Sequence, residues 1–427
     1  MLFRFALYGF LKNQRYFEPF LILALRARGL SFAGIGLLIG FREICINLME
    51  IPSGAVADVA GRRKCMVLSF LAYIGSFLIF AWAGSVWSLL GAMLLFATGE
   101  AFRTGTHKAI IFDWLARQGR RAEKTRVYGF TRSWSKLGSA VSVLIAAALV
   151  FTIEVEQYRW VFLLSILPYA VNVGNFLTYP RALDGPGGGR FSVRRVAATT
   201  WAGFRRAMRH RPLRGVLVES MAYEGVYKST KDYIQPLLKA AAVGLPVLLA
   251  LGDRQRTALL VGSVYAVLYA AGSFASRHAH ALSRRAGSDV RGALWVLAMT
   301  SAAFLVMGAG LLLGAAGVAV AAFVALAVFQ NFWRPIIVGR VADQADEAQA
   351  ATVLSIDSQG KSVVAAAIAP LLGLAVDLAG RGAGRTMRFA PVAAVGLVVT
   401  LGMLIHARRA LRREQSPEPP ADTAQGA

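Results

Sequence analysis

The chain predicts an all-α membrane protein of twelve transmembrane helices in two six-helix halves, and three observations carry that reading. Of its 427 residues 56% are hydrophobic and the mean hydropathy is +0.53, more apolar than a water-soluble protein of this length. Apolar segments of about 20 residues, enough to span a hydrocarbon core, recur with only short interruptions. Arginine and lysine gather in alternate interruptions. The alternating short strands of a membrane barrel are not found.

The first segment, 4–27, carries Lys12, Arg15 and Glu18 and has no unbroken apolar core or small-residue cleavage site. It therefore reads as a retained helix instead of a secretory signal. Segments 31–57, 66–82, 87–115, 126–151 and 158–179 complete the first bundle, residues 1–180. Residues 181–212 form a hydrophilic interruption, opening with Asp184-Gly185-Pro186-Gly187-Gly188-Gly189 and continuing as a basic run with Trp201, Phe204 and Met208. That composition predicts a flexible cytoplasmic linker followed by an amphipathic surface helix. Segments 213–240, 257–281, 291–313, 315–340, 351–377 and 388–408 make the second bundle, 213–410, and 411–427 is expected to be a disordered tail.

Cations cluster at Arg62 to Lys64, Arg117 to Arg126, Arg181 to Arg214, Arg277 to Arg291 and Arg408 to Arg413, all on one side of this count. On the other side Ala83 to Val86 has no cation, and Ile153 to Tyr158 contributes Glu154 and Glu156. The positive-inside rule then places both termini in the cytoplasm of a multi-pass protein, expected in a bacterial inner membrane. Arg381, Arg385 and Arg388 fall on the outer side as an exception. The net charge of +24 is thereby topogenic, not a nucleic-acid footprint. Cys45 and Cys65 sit on different segments and read as small packing residues.

Between the second and third segments stands Gly54-x-x-x-Asp58-x-x-Gly61-Arg62-Arg63-Lys64. This hairpin resembles the signature of the major facilitator superfamily of secondary transporters. The resemblance implies a conformational latch: Asp58 gripping the positive start of the eleventh helix, near Ala351, with Gly54 and Gly61 allowing close approach and Arg62 and Arg63 beside the acid. It further implies that helices one, four, seven and ten line a cavity, that two, five, eight and eleven flank it, and that the rest face lipid. Two departures stand out. The second-half hairpin, Gly272 to Arg285, has Ser276 where the acid would stand, and helix five reads Gly138-Ser139-Ala140-Val141-Ser142 in place of the glycine-proline run of the family's drug exporters.

Ionisable side chains at membrane depth are costly and mark function unless they only brace the helices. They occur here on helices one, two, four, five, seven, ten and eleven, while three, six, nine and twelve are nearly free of charge. Glu100, Arg103 and His107 share one helical face, as do Glu43, Asn47 and Glu50. Arg103 and Arg334 suit a substrate carboxylate or phosphate, with Arg15, Glu224, Lys228 and Asn331 completing the binding set. Glu18, Glu100 and His107 are the proton-coupling candidates, although His107 reads equally as a structural donor. Glu43, Glu50, Lys136, Asp357 and Lys361 flank the cavity. Lys136 and Lys361 each follow a serine by three residues, a faint internal repeat matched by Arg103 and Arg334.

The expected function is a secondary active transporter of a small polar, zwitterionic or anionic solute, working by alternating access with protons as partner, in the bilayer and as a monomer. The alternative in the same class is a proton-driven multidrug efflux antiporter. A membrane enzyme using Glu100, His107 and Asp113, and a non-transporting sensor, are readings from other classes. No metal-ligand pair and no phosphate-binding loop are present in the sequence, so no cofactor, metal or ATP hydrolysis is expected.

Overall fold

The computed structural model describes residues 1–120, 123–152, 158–184, 204–205, 208–244, 250–344, 350–382 and 384–415. Glu154 and Glu156, most of the 181–212 linker and the tail beyond Gln415 lie outside the described residues, as do the side chains of Asp58 and Ala351. Every regular element among the described residues is helical.

The first half contains α1 (Leu2–Leu11), α2 (Leu21–Ala27), α3 (Phe32–Ala60), α4 (Arg62–Trp82), α5 (Val86–Arg103), α6 (Thr106–Arg117), α7 (Lys124–Thr152) and α8 (Arg159–Leu177). The second contains α9 (Arg211–Thr230), α10 (Ile234–Gly244), α11 (Asp253–Ala286), α12 (Asp289–Leu312), α13 (Ala316–Asp343), α14 (Ala350–Ala379) and α15 (Ala390–Gln415). Nine helices among the described residues are long and apolar enough to cross a membrane. Broken spans account for the rest, and the whole fits twelve crossings of a multi-pass membrane protein.

The expected single segments 4–27, 87–115 and 213–240 are each interrupted, at Lys12–Phe17, at Thr104–Gly105 and at Lys231–Tyr233. Proline explains two of the breaks, because Pro19 and Pro236 have no N–H for the carbonyls of Arg15 and Asp232 four residues earlier and their rings clash with those carbonyls. Gly105 explains the third with φ +85°, a conformation open chiefly to glycine. Backbone released inside a membrane must find partners. At the first break Tyr169 Oη donates to the Lys12 carbonyl at 2.8 Å and the Tyr16 N–H donates to Ser165 Oγ at 3.1 Å. The side chains of Asn13 and Gln14 donate to the carbonyls of Ser135 and Gly138 at 2.6 and 3.0 Å.

The last helix continues through Gln415, so residues 411–415 are helical instead of belonging to the expected tail. In the linker region Phe204 and Met208 pack against a cluster of Leu213, Leu217, Val341, Val353 and Ile356. The low-charge helices present bare apolar faces outward: Leu68 and Leu78 on α4, Leu167 on α8, Leu305 on α12 and Val398 on α15 are exposed. Aliphatic exposure of this kind is stable in lipid, not in water.

The halves meet along two seams, α3 against α14 and α7 against α11. Small residues permit the approach: a Cβ on Gly36 would lie 2.3 Å from the Ala369 carbonyl oxygen, and one on Gly373 would lie 2.1 Å from that of Phe32. Among the described residues the start of α1, the end of α15 and Arg62, Arg63, Arg120, Arg181, Arg284, Arg285 and Arg291 share one end of the bundle, the basic end. At the far end the halves are clasped. Asp377 at the close of α14 accepts from the Phe32 and Ala33 N–H groups at 3.1 and 2.7 Å, capping the start of α3 across the seam. The Phe32 ring stacks on Tyr233 and meets Phe389 edge-on, both at 5.8 Å. The buried Gln235 side chain accepts from the Ile22 N–H at 2.8 Å and donates to the Glu18 carbonyl at 2.9 Å.

Candidate functional site

Below this clasp the halves part into a cavity of two lobes. The first lobe, about 390 Å³, lies within the first half among α1, α5, α6 and α7. The second, about 720 Å³, runs along the second half from Glu18 and Ile234 toward Val338 and Asp357 nearer the basic end. Lys108 and Lys136 line both lobes and so mark their junction.

Of the residues expected to bind substrate, Glu224, Lys228, Asn331 and Arg334 line the second lobe, together with Glu18 and the flanking Lys136, Asp357 and Lys361. Arg103, Glu100 and His107 line the first. Arg15, Glu43 and Glu50 line neither. The expected set is therefore brought to one region but not to one surface.

Several of these charges are already engaged. Glu100 accepts from Arg15 Nη2 at 2.8 Å and from Tyr73 Oη at 2.5 Å, and pairs with Arg103 through its other oxygen. Arg103 donates further to Tyr73 and Tyr8 at 3.2 and 3.3 Å, and Arg15 to Tyr169 at 2.9 Å. The carboxylate thus sits among donors only, half-buried, and the two guanidiniums expected to hold substrate are committed to it. A second knot joins the halves: Glu43, 1% exposed, takes Arg42 at 2.9 Å and Lys228 from α9, which also donates to Ser362 of α14 at 3.1 Å. In a third, Lys361 pairs with Asp357 one turn earlier on α14. Buried pairs of this kind are strongly destabilised when one partner is removed.

The remainder is less committed. Among the described residues Lys12, Lys108, Arg132, Lys136 and Arg334 line the cavity with no carboxylate within 4.0 Å. Lys12 and Lys108 stand over the rings of Tyr8 and Tyr128 at 5.2 and 5.4 Å. Glu224 accepts only from the amide of Gln330, at 3.2 and 3.3 Å, and the Glu18 carboxylate has no hydrogen-bond partner among the described residues. His107 is buried against Tyr8, stacked at 3.7 Å, with Phe5 and Phe176 edge-on, and its Nε2 is unpartnered among the described residues.

Lys12 and Arg132 were absent from the expected set because each lies close to a helix end and reads as an ordinary boundary cation. The signal was there: Lys12 precedes Arg15 by three residues and Arg132 precedes Lys136 by four, so each shares a face with a residue already singled out. Tyr227, Tyr265 and Tyr269, which line the second lobe, were hidden among the many membrane aromatics.

In the hairpin after α3, Gly61 has φ +102°, and a Cβ there would lie 3.1 Å from Asp184 Oδ1. Asp184 accepts the Arg63 N–H at 2.9 Å, and the Arg63 guanidinium donates to the Tyr179 carbonyl at 3.2 Å. The turn after α8 therefore holds the hairpin from within the same half. Gly54 is exposed, with nothing within 4 Å of a Cβ built there, and Arg62 is half-buried.

The sequence matches the Major Facilitator Superfamily over residues 13–370. No curated protein matches the chain. Among solved structures it is similar to the nucleoside transporter NupG, with TM-score 0.71 and 12% identity over 97% of each chain. It is also similar to a POT family transporter in complex with 5-aminolevulinic acid, TM-score 0.70 and 13% identity over 96% of this chain and 95% of that one. A bacterial homolog of the human lysosomal transporter Spinster, inward-facing and unoccupied, matches with TM-score 0.69 and 16% identity over 98% and 97%. With its two helical halves, clasped seams and central charged cavity, the chain belongs to the Major Facilitator Superfamily.

Proposed function

We propose that the protein is a secondary active transporter that carries a small anionic or zwitterionic solute across a bacterial inner membrane by alternating access, coupled to protons. One observation supports this above the others: a cavity at the seam of two helical halves, closed at the far end and lined by cations and carboxylates that lack counter-charges. Such groups at membrane depth are retained where water and solute enter. The positive-inside rule puts the basic end in the cytoplasm, so the described conformation is open inward.

Arg334, Glu224 and Asn331 are the solute-facing members of the binding set, joined by Lys136 from the flanking set. Arg15, Arg103 and Lys228 reach solute only by exchanging it for Glu100 or Glu43. Glu18 is the leading proton carrier, because it faces the cavity with no ion pair within 4.0 Å among the described residues; Glu100 joins it when the two arginines release, and His107 is held in its ring cage. Glu43, Glu50, Asp357 and Lys361 brace the cavity wall. The latch of Gly54, Asp58, Gly61, Arg62 and Arg63 acts when the basic end closes.

Purified protein in proteoliposomes, loaded in turn with amino acids, nucleosides, organic acids and phosphate esters, is the direct test. Counterflow of at least one labelled anionic or zwitterionic solute, accelerated by an imposed pH gradient, supports the reading. Absence of exchange for every class with the protein folded and oriented refutes it, and exchange only of lipophilic cations refutes the solute assignment.

A further inference from the structure

The charge in the cavity is layered. Lys12, Lys108, Arg132 and Lys136 of the first half surround the first lobe and its junction with the second, and none has a carboxylate partner among the described residues. Glu18 and Glu224, with no cation within 4.0 Å among the described residues, lie in the second lobe, deeper from the basic end than Arg334. Four uncompensated cations around a 390 Å³ space are more than a single carboxylate neutralises. They match a doubly charged group with several acceptor oxygens. Neutral groups complete the first lobe: the phenol of Tyr128 and the imidazole of His107, whose buried Nε2 is unpartnered among the described residues, both border it. In the second lobe Glu18 and Glu224 stand with Tyr227, Tyr265 and Tyr269, the combination of carboxylates and ring faces that receives an ammonium group.

We propose that the solute is an amphoteric phosphate monoester, its phosphate held in the first lobe by Lys12, Lys108, Arg132 and Lys136 and its ammonium end directed at Glu18 and Glu224. This assignment rests on the central cavity being the solute path. It fixes the orientation of the solute, phosphate toward the first half and amine toward the second, so each half grips one end. A solute lacking either charge leaves one set of side chains uncompensated and binds more weakly for that reason.

Phosphoethanolamine, inorganic phosphate, taurine and ethanolamine separate the contributions. The expected order of thermal stabilisation of the purified protein at neutral pH is phosphoethanolamine, then inorganic phosphate, with taurine and ethanolamine weakest. Lys136→Gln and Arg132→Gln, both on exposed cavity positions of α7, each weaken binding of phosphoethanolamine and of inorganic phosphate about tenfold, the loss of one charge-assisted contact. Glu224→Gln weakens phosphoethanolamine about tenfold and leaves inorganic phosphate unchanged. Equal binding of taurine or ethanolamine, no binding of either phosphate compound, or indifference to all three substitutions overturns the proposal. Counterflow of labelled phosphoethanolamine separates this from the transport reading. Exchange of some other solute without preference for phosphate refutes the solute class alone, whereas the stated order of binding with no exchange of any solute upholds the site and refutes transport.

Discussion

Removing the Asp377 carboxylate probes how the far end of the cavity is held shut. Its two oxygens accept the Phe32 and Ala33 N–H groups of α3 at 3.1 and 2.7 Å, so a charge from one half caps a helix of the other. Losing a helix cap costs about 0.5–2 kcal/mol, and losing a negative charge at a helix start costs a further 0.3–1 kcal/mol or so. Both contributions exist only while the far end is closed, since the separated N–H groups return to water. Asp377→Ala should therefore shift the conformational equilibrium toward the far-open state by roughly 1–3 kcal/mol, about 5- to 150-fold at 1.4 kcal/mol per decade. Spin labels on Val86→Cys and Leu313→Cys, both exposed at the far end on opposite halves, report the separation directly. The native Cys45 and Cys65 are buried and interfere little. Pulsed dipolar spectroscopy should show a longer-distance population growing in the Asp377→Ala background. Superimposable distance distributions with and without the carboxylate refute the cross-seam cap.

Three further outcomes test other parts of the account. Glu18→Gln should abolish pH-driven accumulation in proteoliposomes while sparing counterflow; loss of both would assign Glu18 to solute binding instead. Glu100→Gln leaves Arg15 and Arg103 facing a neutral group, and thermal unfolding in detergent should show a stability loss of about 3 kcal/mol, as for one partner removed from a buried pair; an unchanged melting temperature would mean that the knot is solvated. Gly373→Ala sets a methyl carbon 2.1 Å from the Phe32 carbonyl oxygen, so α3 and α14 must separate. A cost of about 1–3 kcal/mol is expected for such overpacking, read as a lowered melting temperature together with a longer far-end distance between the same spin labels.

Most of the fold was legible because hydropathy period and charge placement are local properties of the chain. The charge-poor helices α4, α8, α12 and α15 present apolar faces outward, and Glu224, Asn331 and Arg334 line one lobe. The three breaks had local signals, Pro19, Gly105 and Pro236, that a 20-residue hydropathy window averages away. What was not legible depends on distant partners. Glu100 and Arg103 look equally exposed to a cavity in sequence, yet Arg15, Tyr73 and Tyr8 from other helices occupy them. Asp377 reads as a boundary acid until the start of α3 is placed beside it, and Asp184 as part of a linker until Gly61 leaves room for it.

The interruption between α1 and α2 has a mechanical consequence. Its main chain is tied to Ser165 and Tyr169 of α8, and its Asn13 and Gln14 side chains to the Ser135 and Gly138 carbonyls of α7. A segment fastened to two neighbours cannot act as a hinge, because bending there would tear four bonds at once. Flexing is thereby forced out to the seams, and the first half should travel as one stiff plate, its amides at residues 12–17 among the slowest in the protein to exchange with deuterium.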